Sequence, residues 1–183
     1  MRGKATAIHG LVIVETDAYS DHRGAFARLF CQDELKECLT SRKIVQINHS
    51  RTLAIGAVRG LHYQNPPHAE MKFVRCLKGK VWDVAVDLRA DSPTFLKWHA
   101  EELSENNMHM MVIPEGLAHG FQVLEENSEL LYLHTAMYTP AAEGGVLPND
   151  KMLAIDWPLT VQDLSERDQN HPLLSSDFTG III

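Results

Sequence analysis

Eight short stretches rich in Val, Ile, Leu and aromatic residues recur along the chain, with Gly, Pro, Asn or Asp between them. They are GLVIVET (10–16), IVQINHS (44–50), VRGLHYQ (58–64), KFVRCLKGKVWDVAVDL (72–88), LKWHAEEL (96–103), HMMVIPE (109–115), AHGFQVLE (118–125) and SELLYLHTAMY (128–138). Runs of this length and composition predict strands. SENN (104–107) and LEENSE (124–129) supply turn chemistry between them. Gly79 splits 72–88 into two alternating strands joined as a hairpin. Many short strands at regular spacing predict a sandwich or barrel, and a jelly roll in particular, because a double sheet hides most strand edges. One segment, CQDELKECLTS (31–41), predicts a helix, with Leu35, Cys38 and Leu39 on one face. LSERDQNHPLL (164–174) predicts a short helix or turn packed on the body.

Length and charge narrow the partners. The 183 residues suit one domain, 1–183, with room for a sizeable core. The 17 basic and 24 acidic residues give a net charge of −7, which argues against general nucleic-acid binding. An anionic ligand would need its cations gathered at one place. No apolar run is long enough to span a bilayer. The opening MRGKATAIHG has no apolar core of a secretory signal, so no signal is expected. Cys31, Cys38 and Cys76 are odd in number and lack paired spacing, which predicts reduced thiols in a cytoplasmic protein.

Two stretches concentrate chemistry. RGLHYQNPPHAEMK (59–72) carries His62 and Lys72 at opposite ends of a bend, and Pro66 and Pro67 exclude a helix through its middle. PEGLAHGF (114–121) places His119 after a glycine turn. A metal-binding cupin wants a His-x-His pair and a carboxylate, then a third histidine in Pro-x-Gly-x-x-His. Pro114, Gly116 and His119 supply the second half, but Tyr63 and Gln64 follow His62, so the second ligand is missing. Two imidazoles make a weak divalent site, and neither a metal nor another cofactor is expected. Each residue alone also has an ordinary reading. His62 and His119 fit as satisfied core or rim histidines, Lys72 as a surface charge, Tyr132 as core packing and Asp168 as a helix-cap residue.

Taken together and in order, these residues resemble the dTDP-4-dehydrorhamnose 3,5-epimerase family of nucleotide-sugar epimerases. The matching segments are DHRGAF (21–26), QINHS (46–50), RGLHYQ (59–64), the run from 72 to 95, IPEGLAHGF (113–121), LYLHTAMYTPAAEGG (131–145), IDWPL (155–159) and LSERD (164–168). They span nearly the whole chain. PEGLAHGF alone would indicate only a cupin. The resemblance implies an all-β, metal-free cupin jelly roll, a double-stranded β-helix with a few short peripheral helices, working as a homodimer. It implies a nucleoside-diphosphate 4-keto-6-deoxy sugar as substrate, inverted at C3 and C5 beside the C4 ketone.

The same resemblance assigns roles. His62 is the base that removes the proton alpha to the ketone, a task suited to imidazole. Asp168 orients it. Lys72 stabilises the charge developing on O4, with His119 assisting. Tyr132 is the acid on the opposite face. Arg23, Arg59 and Arg167 match pyrophosphate-binding positions. Gln46, Asn48 and Glu143 match substrate-holding positions, and Tyr138 and Phe26 match aromatic surfaces near the nucleotide.

The chain departs from the family pattern in three places. Arg28 stands where the family carries a glutamate that holds the base. Thymine N3–H needs an acceptor and arginine offers only donors, which points to a CDP sugar. Ile47 replaces an aspartate in the same region. Leu133 and His134 replace a lysine or similar polar residue, a change at the sugar pocket that leaves inversion at both centres and at C3 or C5 alone as alternatives. A non-catalytic sugar-binding cupin would be expected to lose His62 or Tyr132, and both are present. A metal-dependent cupin oxygenase or isomerase would be separated by a metal assay.

Overall fold

A computed structural model describes residues 1–183, and strands are its main regular structure. In chain order the strands are β1 (Arg2–Ala5), β2 (Val12–Glu15), β3 (Ala18–Asp21), β4 (Gly24–Ala27), β5 (Gln46–Thr52), β6 (Val58–Gln64) and β7 (Lys72–Lys78). Then follow β8 (Lys80–Asp87), β9 (Trp98–Ser104), β10 (Met110–Ile113), β11 (Leu117–Val123), β12 (Ser128–His134) and β13 (Glu143–Gly145). Two four-residue helices complete the set, α1 (Lys36–Leu39) and α2 (Glu166–Gln169).

The strands make a six-stranded sheet, β1-β2-β10-β7-β12-β5, a five-stranded sheet, β13-β6-β11-β8-β9, and the separate hairpin β3-β4. Side chains alternate across each strand, so each large sheet has an inner and an outer face. Val74, Cys76, Met111 and Leu130 of the six-stranded sheet meet Val81, Ala85, Phe121 and Val123 of the other in the central core. The outer face of the six-stranded sheet, with Phe73, Val112 and Leu133, is covered by Leu35 and Leu39. The outer face of the five-stranded sheet, with Leu61, Val84 and Val86, is covered by Leu153, Phe178 and Ile181. Both faces of the central strands are therefore dry, which explains their nearly continuous apolar runs. This is the jelly roll that the strand spacing predicts.

Three local expectations need correction. The predicted helix over 31–41 shrinks to Lys36–Leu39, because Leu35 offers no capping side chain and Thr40 turns left-handed at φ 54°. Gly79 does not close a hairpin. β7 pairs with β10 and β12, while β8 pairs with β11 and β9, so Gly79 carries the chain from one sheet to the other. The strands β1, β3, β4 and β13 go unread in the sequence, since RGKA, AYSD, GAFA and EGG are short and carry no β-branched residue. All three cysteines are free. No helix is long and apolar enough to cross a membrane.

Candidate active site

At one end of the sandwich the sheets part around a cavity of about 980 Å³. That volume suits a ligand larger than a single sugar ring. One wall comes from β6, β11 and β13 of the five-stranded sheet, the other from β5, β7 and β12, and α2 closes the rim.

On the first wall, β6 should send Arg59 and His62 to opposite faces, since they are three residues apart. A register shift prevents this: His62 pairs with His119 while Arg59 pairs with Phe121, so β6 holds one extra residue. Both side chains consequently line the cavity. The bulge depends on Gly60, at φ +122°, where a Cβ would sit 2.5 Å from the Gly120 Cα and 2.7 Å from the His119 carbonyl oxygen. Gly60→Ala is therefore expected to cost about 3 kcal/mol, from the left-handed backbone and the clash combined. A chemical-denaturation midpoint that matches the wild type would refute this.

His62 is paired from outside its sheet. Ser165 caps α2 by accepting the Asp168 backbone N–H at 3.1 Å, which frees the Asp168 carboxylate to point inward. Asp168 is only 2% exposed. Its Oδ1 lies 2.7 Å from His62 Nε2, and its Oδ2 accepts the Gly60 N–H at 3.3 Å. Burial works to raise this carboxyl, but the hydrogen bond and charge of His62 and the Gly60 N–H outweigh it and hold it at about 2. An ionised Asp168 fixes the imidazole proton on Nε2 and leaves Nδ1 as the nitrogen with a free lone pair. Arg167 Nη2 lies 3.1 Å from the same Nε2, while its Nη1 donates to Glu143 Oε2 at 2.9 Å. His62, Asp168 and His171 bring three donor atoms within 4.8 Å of one another, the arrangement nearest to a metal set. The Arg167 guanidinium already stands there, with Nε 3.5 Å from Asp168 Oδ1, and competes with any cation.

On the opposite wall, Tyr132 OH lies 3.1 Å from Ser50 Oγ, and burial pushes the phenol up, so it stays protonated. Lys72 Nζ donates to the His62 carbonyl oxygen at 3.0 Å and lies 3.5 Å from Glu70 Oε1. Burial pushes its ammonium down, and Glu70, Glu143 and Asp83 oppose that push. His119 Nε2 is 2.8 Å from Asp83 Oδ1. Burial pushes the Asp83 carboxyl up, against the pull of His119. Arg59 is braced by its Nε bond to Thr52 Oγ1 at 2.8 Å. Tyr138 OH donates to Glu143 Oε2 at 2.9 Å.

Ten predicted residues thus meet at one cavity: His62, Lys72, Tyr132, Asp168, Asn48, Arg59, His119, Tyr138, Glu143 and Arg167. Arg23, Arg28, Gln46 and Phe26 do not line it, Phe26 being exposed on β4. Arg23 sits at the tip of the β3-β4 hairpin, paired with Asp21 at 2.6 Å. Arg28 follows β4 and pairs with Glu34. Gln46 lies beside the cavity, its Oε1 accepting the Tyr138 N–H at 3.0 Å and its Nε2 donating to Asn48. Leu133 also departs from expectation, since it packs on the outer face of its sheet. Ser50, Thr52, Glu70 and Asp83 went unread, and His134 was singled out only as a departure from the family pattern. Ser50 and Thr52 continue the inward alternation of Asn48, and His134 that of Tyr132, so a period of two would have found three of them. Glu70 lies outside any strand and had no such signal.

A family model described as dTDP-4-dehydrorhamnose 3,5-epimerase matches residues 5–176. The chain belongs to this family. It is 44% identical over 172 residues to the dTDP-4-dehydrorhamnose 3,5-epimerase of Salmonella typhimurium, covering 92% of this chain and 93% of that protein. It is 45% identical over 173 residues to the Pseudomonas aeruginosa protein of the same name, covering 92% and 93%. Among solved structures, the Legionella pneumophila epimerase in complex with dTDP-4-keto-L-rhamnose superposes with a TM-score of 0.91 at 38% identity, covering 100% of this chain and 98% of that one. Membership in the dTDP-4-dehydrorhamnose 3,5-epimerase family makes the chain an enzyme of the isomerase class on a cupin-like jelly roll.

Proposed function

We propose that this chain inverts C3 and C5 of a dTDP-linked 4-keto-6-deoxyhexose, a step of deoxysugar biosynthesis. The observation that carries the reading is that the His62–Asp168 dyad and Tyr132 enter one cavity from facing sheets. Inversion needs a base on one face of a carbon and an acid on the other, and two opposed walls supply that.

His62 Nδ1 takes the proton from the carbon beside the ketone, forming imidazolium opposite the Asp168 carboxylate. The electron pair moves to O4 as an enolate, and the Lys72 ammonium stabilises it. The Tyr132 hydroxyl then delivers a proton to the opposite face of the carbon. Solvent resets the phenolate and the imidazolium. Arg59 and Arg167 at the cavity rim suit the pyrophosphate. Arg23 and Phe26 lie on the exposed β3-β4 hairpin and Arg28 just after it, away from the cavity, with Phe26 74% exposed. We take this as support for a homodimer in which each hairpin reaches the neighbouring copy's nucleotide. Glu34 beside Arg28 returns a carboxylate to that region, which favours a thymine over the cytosine that Arg28 alone points to. A second reading, inversion at one centre only, has His134 in its favour, because that ring lines the cavity stacked on Tyr132.

The test is proton exchange by NMR in deuterated water with dTDP-4-keto-6-deoxyglucose. Loss of both H3 and H5 signals is expected. Loss of one alone selects the single-centre reading. Exchange with the CDP sugar in preference to the dTDP sugar overturns the nucleotide assignment. No exchange with either leaves a sugar-binding cupin.

A further inference from the structure

Glu70 stands just before β7 and is nearly buried, its side chain 8% exposed. Its two oxygens do different things. Oε1 lies 3.5 Å from Lys72 Nζ, and Oε2 lies 2.8 Å from His134 Nδ1. His134 is directly opposite Lys72 in the β12-β7 ladder, and its ring stacks with Tyr132 at 6.1 Å. One carboxylate therefore joins the buried ammonium to a histidine on the neighbouring strand, and all three line the cavity.

We propose that Glu70 is a positioning residue that keeps Lys72 charged and aimed at the substrate oxygen, and that His134 holds Glu70 in place. A buried ammonium survives at neutral pH only beside a counter-charge. The other groups around Lys72 are committed elsewhere. Asp83 on β8 is paired with His119 of β11, and Glu143 on β13 is bonded to Arg167 and Tyr138. His62 on β6 offers Nζ only its backbone carbonyl. Glu70 is left as the carboxylate ion-paired to Nζ. Glu70 Oε2 faces His134 Nδ1, and the other ring nitrogen, Nε2, lies 3.4 Å from Asn48 Nδ2.

The sign of the effect follows. Lys72 acts as an ammonium, so its contribution is lost as pH rises through its pKa. Removing the Glu70 charge lowers that pKa further. Glu70→Gln keeps the volume and an acceptor oxygen while removing the charge. The inference rests on the epimerase reading for what Lys72 does, so the primary readout is independent of turnover. Lysines labelled at Cε and Nζ are titrated by NMR, with Lys72→Arg assigning the Lys72 resonance. Glu70→Gln is expected to move the Lys72 titration down by about 1 pH unit or more. The alkaline limb of the kcat–pH profile should move with it, and Glu70→Asp should bring it back toward the wild-type position. An unmoved Lys72 titration overturns the proposal, as does a rate that falls equally at every pH. If the wild-type protein exchanges no sugar proton, the epimerase reading fails while the Lys72 titration still decides the role of Glu70.

Discussion

His62→Ala is expected to lower kcat for loss of the sugar H3 and H5 protons by roughly 10³-fold, the contribution typical of a positioned general base. The fold should survive, because His62 is a cavity residue outside the buried core clusters. Asp168 keeps the Gly60 N–H as a hydrogen-bond partner, so its helix stays docked. Substrate affinity should change little, since the proposed pyrophosphate contacts are those of Arg59 and Arg167. A drop in affinity with unchanged kcat would make His62 a binding residue and remove the base from the mechanism. Asp168→Asn offers an internal comparison. It keeps the size of the dyad partner but removes the carboxylate held at about 2, so the imidazolium formed on proton abstraction loses its counter-charge.

Tyr132→Phe should separate two events that His62→Ala removes together. Without the hydroxyl, no acid stands on the second face, and net inversion should fall by about 10²-fold or more. His62 still removes the proton and returns one to the same face. Recovered substrate should therefore gain deuterium without change of configuration. The stability cost is small, about 1 kcal/mol, because only the bond to Ser50 is lost. Deuterium uptake and product formation are read from the same NMR sample. If exchange and inversion fall in step, Tyr132 is not the reprotonating acid and another group on that wall must be sought.

Strand positions were readable because burial on both faces forces long apolar runs onto β7, β8 and β11. The hairpin β3-β4 was not, because all but one of its residues are exposed and nothing selects for apolar or β-branched side chains there. The same logic separates the site residues. His62, Lys72, Tyr132 and Asp168 were found through the order of their motifs. Glu70 and Asp83 were missed because each acts through a partner distant in the sequence, Asp83 through His119 and Glu70 through His134. Arg28 was read as a lone set of donors, whereas Glu34, six residues on, stands against it.

What the sequence by itself determined was the count and rough span of the main strands, the jelly-roll class and the residue types needed to move a proton beside a ketone. The strands and the fold class follow from local periodicity, and the residue types from the resemblance that the order of the motifs carries. Only the tertiary structure decided that Gly79 joins two sheets and that a bulge at Gly60 turns Arg59 and His62 to the same cavity. It also decided that one buried carboxylate, Glu70, lies between Lys72 and His134. Each of these depends on which strands become neighbours and in what register. That choice is made by the burial of whole sheet faces, which no short window of residues contains.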